Sequence, residues 1–147
     1  MIVAGEIAQE CVEAYLFASP PLEILIFRRP PPRGGIWVPV SGKVEPSDAD
    51  FEAAVRRELV EETGLSMPRR VLPMDWHVPF PMENGETWRL HAYAVECERR
   101  FVPALSGEHD RAEWVSPEEA RRRLHYEDNR AAVGRLVSLL GSSTRND

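Results

Sequence analysis

The sequence predicts an α/β domain, a sheet sandwiched between helices, and three observations point to it. Short runs of branched and aromatic residues, separated by Pro- and Gly-rich punctuation, read as strands. Two segments, residues 51–63 and roughly 128–140, carry apolar residues at helical spacing. The chain has 147 residues, 43% apolar and 29% charged, which suits one domain around one hydrophobic core. The 51–63 helix is expected on one side of the sheet and the C-terminal helix on the other. No internal repeat, linker or second domain is visible, so residues 1–147 read as one unit.

Taken in order, residues 7–18, IAQECVEAYLFA, mix alternation with a short apolar run and read as a strand over most of their length. Residues 22–28, LEILIFR, lie between SPP and PPP and read as a second strand, hairpin-paired to the first. Pro30, Pro31, Pro32, Gly34 and Gly35 make a stiff loop. Residues 36–40, IWVPV, are extended, with Pro39 at an edge or bulge. Residues 41–50 read as a loop ending on Asp50, a good N-cap. Residues 51–63, FEAAVRRELVEET, read as a helix closed by Gly64, with Phe51, Val55 and Leu59 as its buried stripe. Two strands, 69–80 and 87–97, flank the turn signal Asn84-Gly85. After a loop at 101–109 come a short strand at 111–115 and a helix opening on Pro117 with Ser116 as its cap. Asp128 or Asn129 opens the last helix, with Ala132, Val133, Leu136, Val137 and Leu140 on its apolar face. The tail from about residue 141, GSSTRND, is expected to be frayed.

Lys and Arg number 18 against 24 Asp and Glu, a formal charge of −6. That argues against a broad face for a nucleic-acid polymer. It does not exclude a small nucleotide, because a bound divalent cation inverts the charge of an acidic pocket. Cys11 and Cys97 form no metal-spacing motif and read as buried or half-buried thiols. The acidic N-terminus makes a poor signal peptide, and no stretch reaches the ~18 apolar residues of a membrane span. The expectation is a soluble cytoplasmic protein, with monomer and homodimer both open.

The 51–63 helix also holds a cluster with chemical meaning. Glu58 lies three residues before Glu61 and four before Glu62, so all three carboxylates share one helical face. Crowded like charges repel unless something positive sits among them, and oxygen ligands suit a hard cation such as Mg2+ or Mn2+. The preceding loop, Gly42-Lys43-Val44-Glu45, is placed to bring a backbone carbonyl and a lysine near the same ion. An acidic helix face is often no more than a solvated one, and what changes the weighing is the segment as a whole.

That segment closely resembles the Nudix box. Gly42 opens the pattern, Arg57-Glu58-Leu59 gives its central triplet, Glu61-Glu62 its acid pair, and Gly64-Leu65 closes it. One residue is inserted between Gly42 and Arg57, within residues 46–49, so that the first acid of the box becomes Asp48 or is displaced. The approach Trp37-Val38-Pro39-Val40-Ser41-Gly42, together with Glu108-His109, Trp114, the 117–124 helix and Asn129-Arg130, is similar to bacterial Nudix pyrophosphohydrolases acting on dihydroneopterin triphosphate and deoxynucleoside triphosphates.

The resemblance implies an α/β/α sandwich with a mixed sheet between helices, and an Mg2+-dependent hydrolase (Mn2+ able to substitute) acting on a small phosphorylated, nucleotide-like substrate. Dinucleoside polyphosphates and nucleotide sugars are the alternative substrates, and a catalytically silent binding domain the non-enzymatic one. It further implies metal ligation by Glu58, Glu61, Glu62 and the Ser41 carbonyl, with Arg57 holding the geometry of the acids. Glu108 would complete the metal site or act as base, and His109 would be structural. Arg28, Arg29 and Lys43 are candidates for substrate phosphates. Trp37, Trp76 and Trp88 are candidates for ring stacking, and Trp114 for packing.

Overall fold

A computed structural model describes residues 6–145. Strands β1 (Gln9–Ala18) and β2 (Glu23–Arg28) lead through a single 3-10 turn at Pro31–Arg33 to β3 (Trp37–Val38) and β4 (Val40–Lys43). Helix α1 (Phe51–Thr63) follows, then the hairpin of β5 (Arg70–Pro81) and β6 (Thr87–Glu96), the short β7 (Arg111–Val115), and helices α2 (Pro117–Arg123) and α3 (Glu127–Arg145).

All seven strands join one mixed sheet. β1 is its spine, parallel to β6 from Gln9↔Trp88 to Phe17↔Glu96. The other edge of β1 is shared. β4 takes the first half, Cys11↔Lys43 to Ala14↔Val40, and β2 takes the second, Leu16↔Leu25 to Ala18↔Glu23, both antiparallel. β2 also pairs with β3 and β7. Pro39, which has no N–H to give a ladder, marks where the 37–43 segment leaves β2 for β1. Of these, residues 41–43 were expected in a loop. They form a strand because β1 still has unpaired backbone groups there, and pairing satisfies them.

The period-2 alternation of the strands sorts the core into two layers. Tyr15, Phe17, Ile24 and Ile26 face Ala120, Leu124, Ala132, Val133 and Leu136 from the α2–α3 side. Val12, Ala14, Leu16, Leu25 and Phe27 face Ala54, Val55 and Leu59 of α1. This is the expected sandwich, with α1 on one face and the C-terminal helices on the other. Burying a side chain of this size contributes about 1.5–3 kcal/mol, so each layer holds its helices firmly.

α1 has the predicted limits. The Asp50 side chain accepts from Ala53 N at 2.8 Å, and Gly64 ends the helix at φ 77. Its buried face is wider than the expected stripe. Val55 and Leu59 are fully buried and Phe51 only partly, while Glu58, Glu62 and Thr63 are also buried. Ser116 caps α2, accepting from Glu119 N at 3.1 Å. α3 opens at Glu127 and continues to Arg145, so most of the tail expected to fray is helical in backbone. Residues 1–5 and 146–147, which fall in the expected N-terminal segment and tail, lie outside the described residues. Among those described, no helix is long and apolar enough to cross a membrane.

Candidate active site

α1 lies across the sheet so that its acidic face meets β4 on one side and the 101–110 loop on the other. Glu58 points at β4, where its carboxylate packs directly on the backbone of Gly42, occupying the space that a Cβ at that position would need. Burial pushes its pKa up to about 7. The Arg57 guanidinium pulls the other way, and the neighbouring Glu61 and Glu62 charges add to the rise.

Arg57 is the hub of the cluster. Its Nε and Nη2 fork onto the Asp48 carboxylate at 3.0 and 2.8 Å. Its Nη1 reaches Glu58 at 2.9 Å and Glu61 at 3.4 Å. Nη2 also donates to the Lys43 carbonyl at 2.9 Å, tying α1 to the end of β4. The Arg57 hydrogen bonds hold the Asp48 carboxyl down at about 2. The residue expected at or near the displaced first acid of the box is thus placed on Arg57.

Glu62 faces the other way. Its carboxylate accepts from the Ser106 hydroxyl at 2.7 Å and lies 3.4 Å from Nδ1 of His109. Burial raises the Glu62 pKa. His109 is itself buried and lowered to about 4 by that burial, so it is neutral at physiological pH. It tilts against Phe27 with ring centroids 5.1 Å apart. The Ser106 hydroxyl also accepts from Glu108 N at 3.2 Å, linking the loop to the helix. The Glu108 carboxylate is ion-paired to Arg33, which holds its pKa low.

Beside this cluster opens a cavity of about 580 Å³. Ser41, Gly42 and Lys43 form one edge, Phe80, Trp88 and Leu90 an apolar wall, and Glu13, Tyr126 and Asn129 the opposite end. The Lys43 ammonium sits 4.9 Å from the centre of the Trp88 ring. Arg29 also lines the cavity and makes no side-chain hydrogen bond or ion pair among the described residues. A half-buried, unpaired guanidinium at a cavity edge is suited to an anionic ligand.

The other candidates are placed elsewhere. Arg28 is spent on Asp110, at 3.0 and 2.7 Å. Trp37 does not line the cavity; it lies under the Arg123 guanidinium, 4.3 Å from the ring centre, and bridges to Leu124. Trp76 packs on the α3-side core, and Trp114 donates to the Phe101 carbonyl at 3.0 Å. Sequence reasoning did not single out Glu13, which is buried in β1. Its carboxylate accepts from the Tyr15 hydroxyl at 2.7 Å and from Asn129 Nδ2 at 3.3 Å. An acid at an inward position of a strand was the available signal.

The donor set fits a hard divalent cation, since carboxylates and a main-chain carbonyl offer oxygen only. Among the described residues no three acids or histidines converge closely enough to hold an ion as they stand. The Glu61 and Glu108 side chains are 52% and 54% exposed, and turning inward toward an ion asks Glu61 to leave Arg57 and Glu108 to leave Arg33.

The sequence profile of the NUDIX domain matches residues 11–136. The chain belongs to the Nudix family. Among curated proteins this Nudix chain is 34% identical over 123 residues to an octanoyltransferase of Myxococcus xanthus, covering 82% of the chain and 34% of the relative. It is 30% identical over 121 residues to a prenyl-diphosphate phosphatase of Methanosarcina mazei, covering 76% and 66%. The chain therefore spans about a third of the first relative and about two thirds of the second. Two solved structures share the Nudix fold. A C. elegans Ap4A hydrolase superposes with TM-score 0.77 at 18% identity, covering 92% of this chain and 99% of that one. The E. coli dihydroneopterin triphosphate pyrophosphohydrolase gives 0.74 at 16% identity, covering 87% and 95%.

Proposed function

We propose that the chain is a divalent-cation-dependent pyrophosphohydrolase that cuts a phosphoanhydride bond in a nucleoside triphosphate or dihydroneopterin triphosphate, giving the monophosphate and pyrophosphate. The observation that carries this reading is the continuity of one cavity from the Trp88 and Phe80 wall to the Ser41-Gly42 strand on which Glu58 packs. A planar ring at the aromatic end places its phosphates toward Arg29, Lys43 and the acidic face of α1.

In the reaction a water oxygen bonds to phosphorus, the bridging P–O bond breaks, and pyrophosphate leaves with that bond's electrons. A bound cation, Mg2+ or in its place Mn2+, would neutralise the phosphates and make the water more acidic. Glu58, Glu61 and Glu62 supply the negative oxygens for that cation, with the Ser41 carbonyl and Glu108 as further donors. Arg57 bridges Glu58 and Glu61 through its Nη1 and ties them to the end of β4 through the Lys43 carbonyl. A carboxylate of the cluster accepts the water's proton.

A second reading has its own support. Val38, Pro39, Phe80, Pro81, Met82 and Leu90 make much of the cavity wall apolar, and a relative at 30% identity is a prenyl-diphosphate phosphatase. An isoprenoid diphosphate would use the same acids and place its chain where the ring would lie. Dinucleoside polyphosphates and nucleotide sugars use the same box. A silent binding domain is disfavoured by the retention of Glu58, Glu61 and Glu62.

A panel of phosphorylated compounds assayed with Mg2+, reading pyrophosphate against orthophosphate, separates these readings. Release of pyrophosphate from a triphosphate, abolished by excess chelator, is expected. Orthophosphate from prenyl diphosphates with no triphosphate turnover would move the assignment to the second reading. Robust hydrolysis in chelator would remove the cation from the mechanism.

A further inference from the structure

On the α1 face of the sheet, away from the residues lining the cavity, four side chains stand in a row. Asp75 Oδ1 lies 3.6 Å from Nε2 of His77. Nδ1 of His77 lies 2.8 Å from Nδ1 of His91, and Nε2 of His91 lies 3.0 Å from Glu10 Oε1. The order is carboxylate, imidazole, imidazole, carboxylate. None of the four belongs to the Nudix box.

The tautomers follow from the partners. Glu10 is held ionised by Arg89, which forks onto it at 3.0 and 2.6 Å and lowers its pKa. An ionised carboxylate only accepts, so His91 carries its hydrogen on Nε2, and its Nδ1 presents a lone pair. His91 is buried and stacked on Phe51 with ring centroids 4.0 Å apart, so that lone pair has a fixed direction. His77 aims its own Nδ1 at the same point. With its hydrogen on Nδ1, His77 donates to His91 at 2.8 Å; with it on Nε2, facing Asp75, His77 adds a second lone pair, and the two nitrogens then offer a cation a place between them.

The backbone is shaped to make this meeting. Pairing of β5 with β6 breaks between Pro73 and His77. At the break Asp75 adopts φ 55, and it is the only non-glycine with positive φ among the described residues. Such a conformation costs on the order of 1–3 kcal/mol and gathers at functional sites. Here it turns β5 so that His77 faces His91 and Asp75 stands at the outer nitrogen of His77.

We propose that His77 and His91 form a second metal site, distinct from the acidic one, that takes a borderline-soft divalent cation, Zn2+ or Cu2+, through their Nδ1 atoms. Imidazole nitrogen suits these ions and not Mg2+. Glu10, 3.0 Å from Nε2 of His91, serves as the carboxylate that orients a ligating histidine from behind, and Asp75, 3.6 Å from Nε2 of His77, stands where it does the same once that ring moves. Two nitrogens bound to one Zn2+ at ~2.0–2.1 Å stand roughly 3.3 Å apart in a tetrahedral site. Opening the gap therefore asks for about half an ångström of movement, and His77, at 52% side-chain exposure, is free to make it. Among the described residues no third protein ligand converges, so water completes the coordination on the exposed side of His77, and binding is reversible.

The test is a Zn2+ titration by calorimetry of the metal-depleted full chain in excess Mg2+, beside Cu2+ electron paramagnetic resonance. One saturable equivalent of Zn2+ is expected, with Cu2+ spectra showing coupling to two imidazole nitrogens. H77Q should abolish the saturable phase and leave Mg2+-dependent turnover unchanged, while D75N should weaken Zn2+ binding by ~10-fold. Because His77 is half exposed, H77Q tests the site without opening the core, and its thermal unfolding verifies the fold. Absence of saturable binding in wild type would overturn the proposal and leave the pair as an imidazole–imidazole hydrogen bond. Undiminished binding in H77Q would overturn it too, placing the ion elsewhere.

Discussion

The carboxylate of Glu58 and a side chain at residue 42 compete for one space: a Cβ built on Gly42 overlaps both carboxylate oxygens and the carbon between them. The glycine that opens the box is therefore there to let an acid from α1 rest on the backbone of β4. G42A is expected to displace Glu58, to cost about 1–3 kcal/mol as overpacking does, and to cut turnover by at least ~10-fold. Adding E58A should recover most of the lost stability and none of the turnover. Urea unfolding of the two single variants and the double variant measures the coupling, and additive losses would separate Gly42 from Glu58.

Glu61 and Glu62 differ in setting, one exposed beside Arg57 and the other buried against Ser106 and His109. E61Q and E62Q are each expected to lower turnover by at least ~100-fold, since an amide keeps the shape but removes the charge a hard cation prefers. Stability should move the other way in E62Q. A carboxyl whose folded pKa is raised loses stability as pH climbs through that pKa, and glutamine removes the loss. Metal-free E62Q should melt no lower than metal-free wild type at pH 8. Near wild-type turnover in both variants would take the acid pair out of the chemistry.

Glu13 gives the chain a pH-dependent weakness outside the acid cluster. Burial pushes its pKa up to about 7 from 4.5, with the Tyr15 and Asn129 hydrogen bonds opposing the rise. The stabilising protonated form is complete below pH 4.5 and is lost as pH rises through 7. Wild type should therefore lose up to ~3 kcal/mol relative to E13Q between pH 4.5 and pH 8. Chemical unfolding of both proteins across that range checks it; parallel curves would show that Glu13 is ionised throughout.

Arg28 and Arg29 are neighbours in sequence with different duties. R29Q is expected to raise KM for a triphosphate substrate by ~10-fold or more, because its guanidinium is unpaired at the cavity edge. R28Q should instead loosen the Asp110 end of the 101–110 loop, with a smaller effect on KM. Steady-state kinetics of the pair decides it, and equal KM values for R29Q and wild type would leave the phosphates to Lys43.

What the sequence by itself determined about this protein is what local rules can carry. The limits of α1 follow from Asp50 and Gly64, the hairpin turn from Asn84-Gly85, and the α2 cap from Ser116. The spacing of Arg57, Glu58, Glu61 and Glu62 was enough to put the acids on one helix, and the whole segment from Gly42 to Leu65 carried the resemblance to the family. Which way each acid turns was decided only by the tertiary structure. Glu58 is drawn to Gly42 and Glu62 to Ser106 because β4 and the 101–110 loop, distant along the chain, flank the helix on opposite sides. The same holds for β4 itself, which is a strand because β1 has a free edge there, and for Trp37, which α2 covers before any ligand reaches it. The Asn129 contact of Glu13 and the meeting of His77 with His91 were not legible for a related reason. Asn129 reaches Glu13 from α3, and His77 meets His91 across the β5–β6 pairing, whose register is set by the packing of the whole sheet.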